Sequence, residues 1–163
     1  MNAAAPVLIA YDGSDAARRA IHETAKLFGS RRALVVTVWE PTLPYELAAG
    51  MQPAGPMGIA PFPTVDAETA QEIDDTLQAR ADRVAQDGTA LAKSLGLQAE
   101  PLVVAEEGLN VADAIVELAR KRDVAAVVVG SRGLTGLRAA FEGSTSSAVL
   151  KHSPCPVVTV HEE

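Results

Sequence analysis

Val127–Thr159 reads VVVGSRGLTGLRAAFEGSTSSAVLKHSPCPVVT. Its three leading valines are β-branched and predict a strand of a buried parallel sheet, so Gly130 falls at the carboxyl end, where open α/β sheets take their ligands. Glycine then recurs after two residues at Gly133 and after nine more at Gly143, and Ser144, Thr145, Ser146 and Ser147 follow. This hydroxyl run predicts a short helix ending near His152. At Gly130 the missing Cβ allows φ > 0 and lets a ligand rest against the main chain. Unpaired N–H groups at a helix start favour an anion, and the hydroxyls add donors. A phosphate chain is the ligand these features suit. No Gly-Lys-[Ser/Thr] occurs, and the G-x-G-x-x-G spacing is absent, so neither a Walker A loop nor a dinucleotide fingerprint is present.

The chain upstream alternates strands and helices. Pro6–Tyr11 reads as the first strand, and Asp12-Gly13-Ser14-Asp15 as a turn in which Ser14 or Asp15 caps a helix to about Phe28. Ala17, Ile21, Ala25 and Phe28 give that helix one apolar face, and Gly29 stops it. Ala33–Trp39 is a second buried strand. The connection at 40–65, rich in Pro, Gly and Met, is too long for a routine loop and is read as mobile, or as a lid. Ile73, Leu77, Ala81, Val84, Gly88, Leu91 and Leu95 step by three or four, marking one amphipathic helix from about Ala67 to Leu95, ended by Gly96. Ala99–Val104 is the third strand, and Pro101 places it near a sheet edge. Asn110 caps a helix over Val111–Lys121 with Ala114, Ile115 and Leu118 inward. Ala125–Val129 and Val157–Val160 are the last strands. Five strands alternating with four helices predict a doubly wound α/β fold with an open parallel sheet, and 1–163 as a single domain.

A chain of 163 residues, 48% of them hydrophobic, can bury a sizeable core. Its formal charge of −7 offers no basic stripe for a nucleic acid backbone, and no nucleic acid partner is expected. Between Gly130 and Ser153 the sign reverses: Arg132, Arg138 and Lys151 stand against Glu142. These cations suit a phosphate loop or an ordinary solvated surface. One cysteine, Cys155, excludes an internal disulfide. Ala3–Ala10 lacks a charged segment before it and runs into a strand, so a signal peptide is not expected. Leu47–Val65 is uncharged but is broken by four prolines and three glycines, so no membrane association is expected and the protein is placed in the cytoplasm. His22, His152 and His161 have no metal-ligand spacing. The loop carries no carboxylate besides Glu142 to position water, which suits binding better than turnover.

The spacing of Gly130, Gly133, Gly143 and Ser144, with the HSPCPVV segment at His152–Val158, resembles the universal stress protein family in its ATP-binding branch. More loosely the resemblance extends over the whole chain, although Ala125 stands where that family often has Asp. It implies strand order 3-2-1-4-5 with the switch point between strands one and four. The ligand it implies is ATP or another adenine nucleotide, with or without Mg. Phosphate and ribose contacts then fall to Val129, Gly130, Arg132, Gly133, Gly143, Ser144, Thr145 and Ser146. By the same resemblance Asp12 approaches the adenosine or a metal; its alternative is an Asx turn or cap. Val38 meets adenine through its backbone, and core packing of its side chain is compatible with that. The resemblance also implies a homodimer through Val157–Val160. The leading function is a nucleotide-gated regulatory module of the stress response with slow or no hydrolysis. An adenine-nucleotide hydrolase or transferase on the same scaffold and a ligand-free homodimeric interaction protein are the alternatives.

Overall fold

A computed structural model describes residues 5–39, 41, 67–106, 110–131 and 144–161, and within them the apolar runs form strands and the amphipathic runs helices. The strands are β1 (Val7–Ala10), β2 (Arg32–Trp39), β3 (Gln98–Ala105), β4 (Ala126–Ser131) and β5 (Val157–His161). The helices are α1 (Asp15–Phe28), α2 (Ala67–Ser94), α3 (Val111–Lys121) and α4 (Ser144–His152). The connection at 42–65 and the glycine loop at 132–143 lie outside the described residues.

All neighbouring strands pair in parallel, in the order β3-β2-β1-β4-β5. The expected α/β class and strand order are therefore those observed. Pro101 does lie in an edge strand, paired with Val35. One boundary differs with consequence: Gly130 and Ser131 belong to β4, opposite Val160 and His161, rather than to a loop after it.

Side chains alternate across the sheet. Val7, Ile9, Tyr11, Val35 and Val128 join one core cluster with Ala17, Ala20 and Ile21 of α1 and Ala92 of α2. Leu8, Leu34, Val36, Val127 and Val129 join a second with Ala112, Ile115, Val116 and Ala119 of α3 and Val149 of α4. Helices thus cover both faces, as a parallel sheet requires. Ala17, Ala20, Ala92, Ala112 and Ala119 supply small side chains to these helix contacts.

The caps follow from residue chemistry. Ser14 is the N-cap of α1, its Oγ accepting from the Ala17 N–H at 3.2 Å, and Gly29 ends that helix at φ 59°. Asn110 caps α3 by accepting from the Asp113 N–H at 3.0 Å. Helix α2 is longer than the sheet can cover. Its 28 residues span about 42 Å at 1.5 Å each, whereas the eight residues of β3 span about 26 Å. Its described side chains from Glu68 to Arg80 are exposed or half-buried, and from Ala81 onward Ala81, Ala85, Gly88, Thr89 and Ala92 are buried.

Candidate functional site

The chain leaves β1 for β2 on one side and returns to pair with it on the other through β4. Helices that connect parallel strands on opposite faces diverge there, leaving a crevice at the carboxyl ends. The β1–β4 register runs Val7↔Ala126, Leu8↔Val127, Ile9↔Val128. Tyr11 and Gly130 each lie two residues beyond the last of these pairs. Val38, near the end of neighbouring β2, stands at the same carboxyl edge, its side chain packed on the second core cluster. Three adjacent strands therefore bring Val38, Asp12, Val129 and Gly130 to one rim.

At the end of β1 the main chain is held tightly. The Tyr11 N–H donates to the Val36 carbonyl at 2.8 Å, and the buried Thr37 hydroxyl donates to the Tyr11 carbonyl at 2.9 Å. Asp12 follows, exposed, its Oδ1 accepting the Ser14 N–H at 2.9 Å. Gly13 takes φ 82°, which a side chain would strain. Of the two readings of Asp12, the Asx turn is present. This turn, Ser14 and Asp15 place acceptor oxygens and negative charge at the start of α1, so its dipole is already compensated.

Gly130 has a different reason to be glycine from the one its position suggests. Its φ does not lie in the positive region. A Cβ built there stands 2.6 Å from the carbonyl carbon and 2.7 Å from the carbonyl oxygen of Ala16. What presses on Gly130 is the first turn of α1, and the missing side chain lets helix and strand come together. Val129 beside it is buried in the second cluster and pairs with Thr159.

Helix α4 returns the chain from β4 to β5. Because those strands are parallel, it starts at the carboxyl edge. Its first turn contains no acidic residue, and Lys151 and His152 occupy its last turn. Fully buried Val149 fixes it to the sheet. Unlike α1, this helix has no carboxylate within its first turn, the nearest before it in sequence being Glu142. Ser144 opens it, and Thr145 and Ser146 are half-buried in its first turn. Arg132, Gly133 and Gly143 lie outside the described residues. Among the described residues, no group of three or more His, Cys, Asp or Glu could hold a metal ion.

The structure adds one contact at this rim that no reading of the strand ends supplies. The Tyr11 ring lies against Gly88 of α2, where a Cβ would stand 2.6 Å from Cδ1 and 2.8 Å from Cε1. Tyr11 is 3% exposed. Its hydroxyl is buried without a hydrogen-bond partner among the described residues. Burial raises its pKa above the ordinary 10.0; Arg18 opposes the rise, and Asp87 and Asp12 add to it. A glycine in the interior of a 28-residue helix costs about 1 kcal/mol relative to alanine. That cost was the available signal of a close neighbour.

Comparison with known proteins agrees with this architecture. The model of the universal stress protein family matches residues 5–161. A universal stress protein of Thermus aquaticus, from the 3' region of a QAH/OAS sulfhydrylase, is 31% identical over 157 residues, covering 94% of this chain and 96% of that protein. Two solved structures share the fold across 96% of this chain. One is a universal stress protein in complex with cAMP, at 19% identity, TM-score 0.60 and 96% coverage of that chain. The other, from Archaeoglobus fulgidus in complex with dAMP, has 21% identity, TM-score 0.58 and 97% coverage of that chain.

Proposed function

This chain belongs to the universal stress protein family, and from that premise we propose that it binds an adenine nucleotide at the carboxyl rim of β1 and β4. The observation that carries the proposal is the placement of α4, whose carboxylate-free first turn begins at that rim beside β4. Solved relatives in complex with cAMP and dAMP support an adenine nucleotide as the ligand class. ATP suits the long Gly130–Ser144 segment, with or without Mg, which would neutralise part of the phosphate charge.

In this reading Gly133, Gly143, Ser144, Thr145 and Ser146 wrap the phosphates with backbone amides and hydroxyls, and Arg132 adds charge. The main chain at Val129 and Gly130 forms the rim, Val38 meets adenine through its backbone, and Asp12 faces the ribose while keeping its turn. The glycine loop has no carboxylate besides Glu142 to position water, so in this reading the bound nucleotide serves as a signal with slow or no hydrolysis. The chain then acts as one cytoplasmic domain, paired with a second copy through Val157–Val160. No helix among the described residues is long and apolar enough to cross a membrane.

Calorimetry of the purified protein with ATP and with AMP tests the reading. Saturable heat is expected with both, lost in Gly143→Val while the circular dichroism spectrum is kept. No heat at millimolar nucleotide defeats it.

A further inference from the structure

On the α1/α2 face of the sheet, at its β3 end, a cleft of about 430 Å³ opens between α2 and strands β2 and β3. One wall is a stripe of α2, Gln78, Asp82 and Gln86, spaced by four so that the side chains stack along the helix. The floor is one side of β3, Pro101, Val103 and Ala105, spaced by two. Trp39, the last residue of β2 and the only tryptophan of the chain, completes the lining. This cleft lies on the β2–β3 side of the sheet, and its Trp39, paired with Ala105, follows Val38 of the carboxyl rim in the chain.

Its chemistry selects a ligand class. The floor is apolar, and the indole supplies an aromatic surface. The wall has two amides and one carboxylate, and none of the described lining residues is cationic. Asp82 makes no hydrogen bond or ion pair among the described residues. Over 67–87 the helix carries Glu68, Glu72, Asp74, Asp75, Asp82 and Asp87 against Arg80 and Arg83 alone, so the local field is negative. A carboxylate beside an indole favours a positive charge attached to an apolar body, by ion pairing and cation–π attraction together. The cleft is open to solvent: Gln78, Gln86, Pro101 and Ala105 are exposed, and Trp39, Asp82 and Val103 are half-buried.

The geometry points to a second ligand site here, for a small organic cation of the aryl-alkyl amine class. It stands independently of nucleotide binding.

Trp39 makes the test direct. Its emission is titrated with benzylamine, with benzyl alcohol as the neutral analogue and phenylacetate as the anion. Benzylamine is expected to give a saturable change at millimolar concentration or below. Benzyl alcohol is expected to bind at least tenfold more weakly, and phenylacetate not at all. Asp82→Asn, a change on the helix surface, should weaken benzylamine about tenfold and leave benzyl alcohol unchanged. Equal affinity for the amine and the alcohol, a saturable response to phenylacetate, an unaltered benzylamine affinity in Asp82→Asn, or no saturable response to any of the three overturns the proposal.

Discussion

Gly88 and Tyr11 meet with no room for a methyl group between them: the Cβ that any other residue brings to position 88 would stand 2.6–2.9 Å from three ring carbons of Tyr11. The contact ties the second half of α2 to the residue that precedes Asp12. It therefore joins helix packing to the rim at which the nucleotide is proposed to bind.

Two opposing effects decide the outcome of Gly88→Ala. Alanine gains about 1 kcal/mol in a helix interior. Overpacking a core costs about 1–3 kcal/mol, and the Tyr11 ring that must shift is only 3% exposed. A net loss of stability is expected, measured as a lowered urea midpoint. A midpoint at or above wild type would mean that the ring can move aside.

Tyr11→Phe should do the reverse. A buried hydroxyl without a partner costs about 1–3 kcal/mol, so removing it should leave the protein as stable or more so. The effect depends on pH with a definite sign. Because burial raises the folded-state pKa above 10.0, the unfolded chain loses this proton first as pH climbs. The stability tied to the neutral phenol is whole below pH 10.0 and is lost as pH rises toward the folded value. The difference between Phe and Tyr should thus be constant at neutral pH and grow in favour of Phe above 10. Denaturant titrations at pH 7, 9 and 10.5 measure it.

Gly130→Ala should be costlier than Gly88→Ala, because its Cβ meets helix backbone at 2.6 and 2.7 Å rather than a side chain. A loss of about 3 kcal/mol is expected, at the upper end for overpacking. Adding Ala16→Gly removes only the 3.0 Å contact with the Ala16 Cβ and should not rescue. Rescue by that second change would show that the side chain, not the main chain, is the obstacle. Loss of nucleotide binding in Gly130→Ala by itself carries no information about the ligand.

Ser14→Ala and Asn110→Ala each remove an N-cap acceptor and should cost about 1 kcal/mol. Asn110 also donates to Asp113 Oδ2 at 2.7 Å, so its loss should be the larger of the two. Thermal melts of the two variants separate the cases.

Local rules placed most of the architecture correctly. Valine and alanine runs marked the buried strands, Ser14 and Asn110 marked helix starts, and Pro101 marked an edge, because each of these acts on its own neighbourhood. Gly130 could not be read that way. A glycine at a strand end permits the approach of a ligand or of a helix with equal ease, and its neighbour Ala16 lies more than a hundred positions away in the chain. Gly88 was legible only as a member of an apolar stripe, since nothing near it in sequence announces Tyr11. The cleft under Trp39 was equally invisible, because it arises where two separate periodicities, four along α2 and two along β3, happen to face each other.

Among the described residues, the core contacts of helix α2 lie along its second half. Its last turns share the fate of the core, whereas the segment before Ala81 depends on its own propensity, which in water is marginal for so short a helix. Amide protons should accordingly exchange along a gradient, fast near Glu68 and slow near Ala92, with no boundary at any loop. Thermodynamically one continuous element behaves as two, and the transition between them falls beside Asp82 and Trp39.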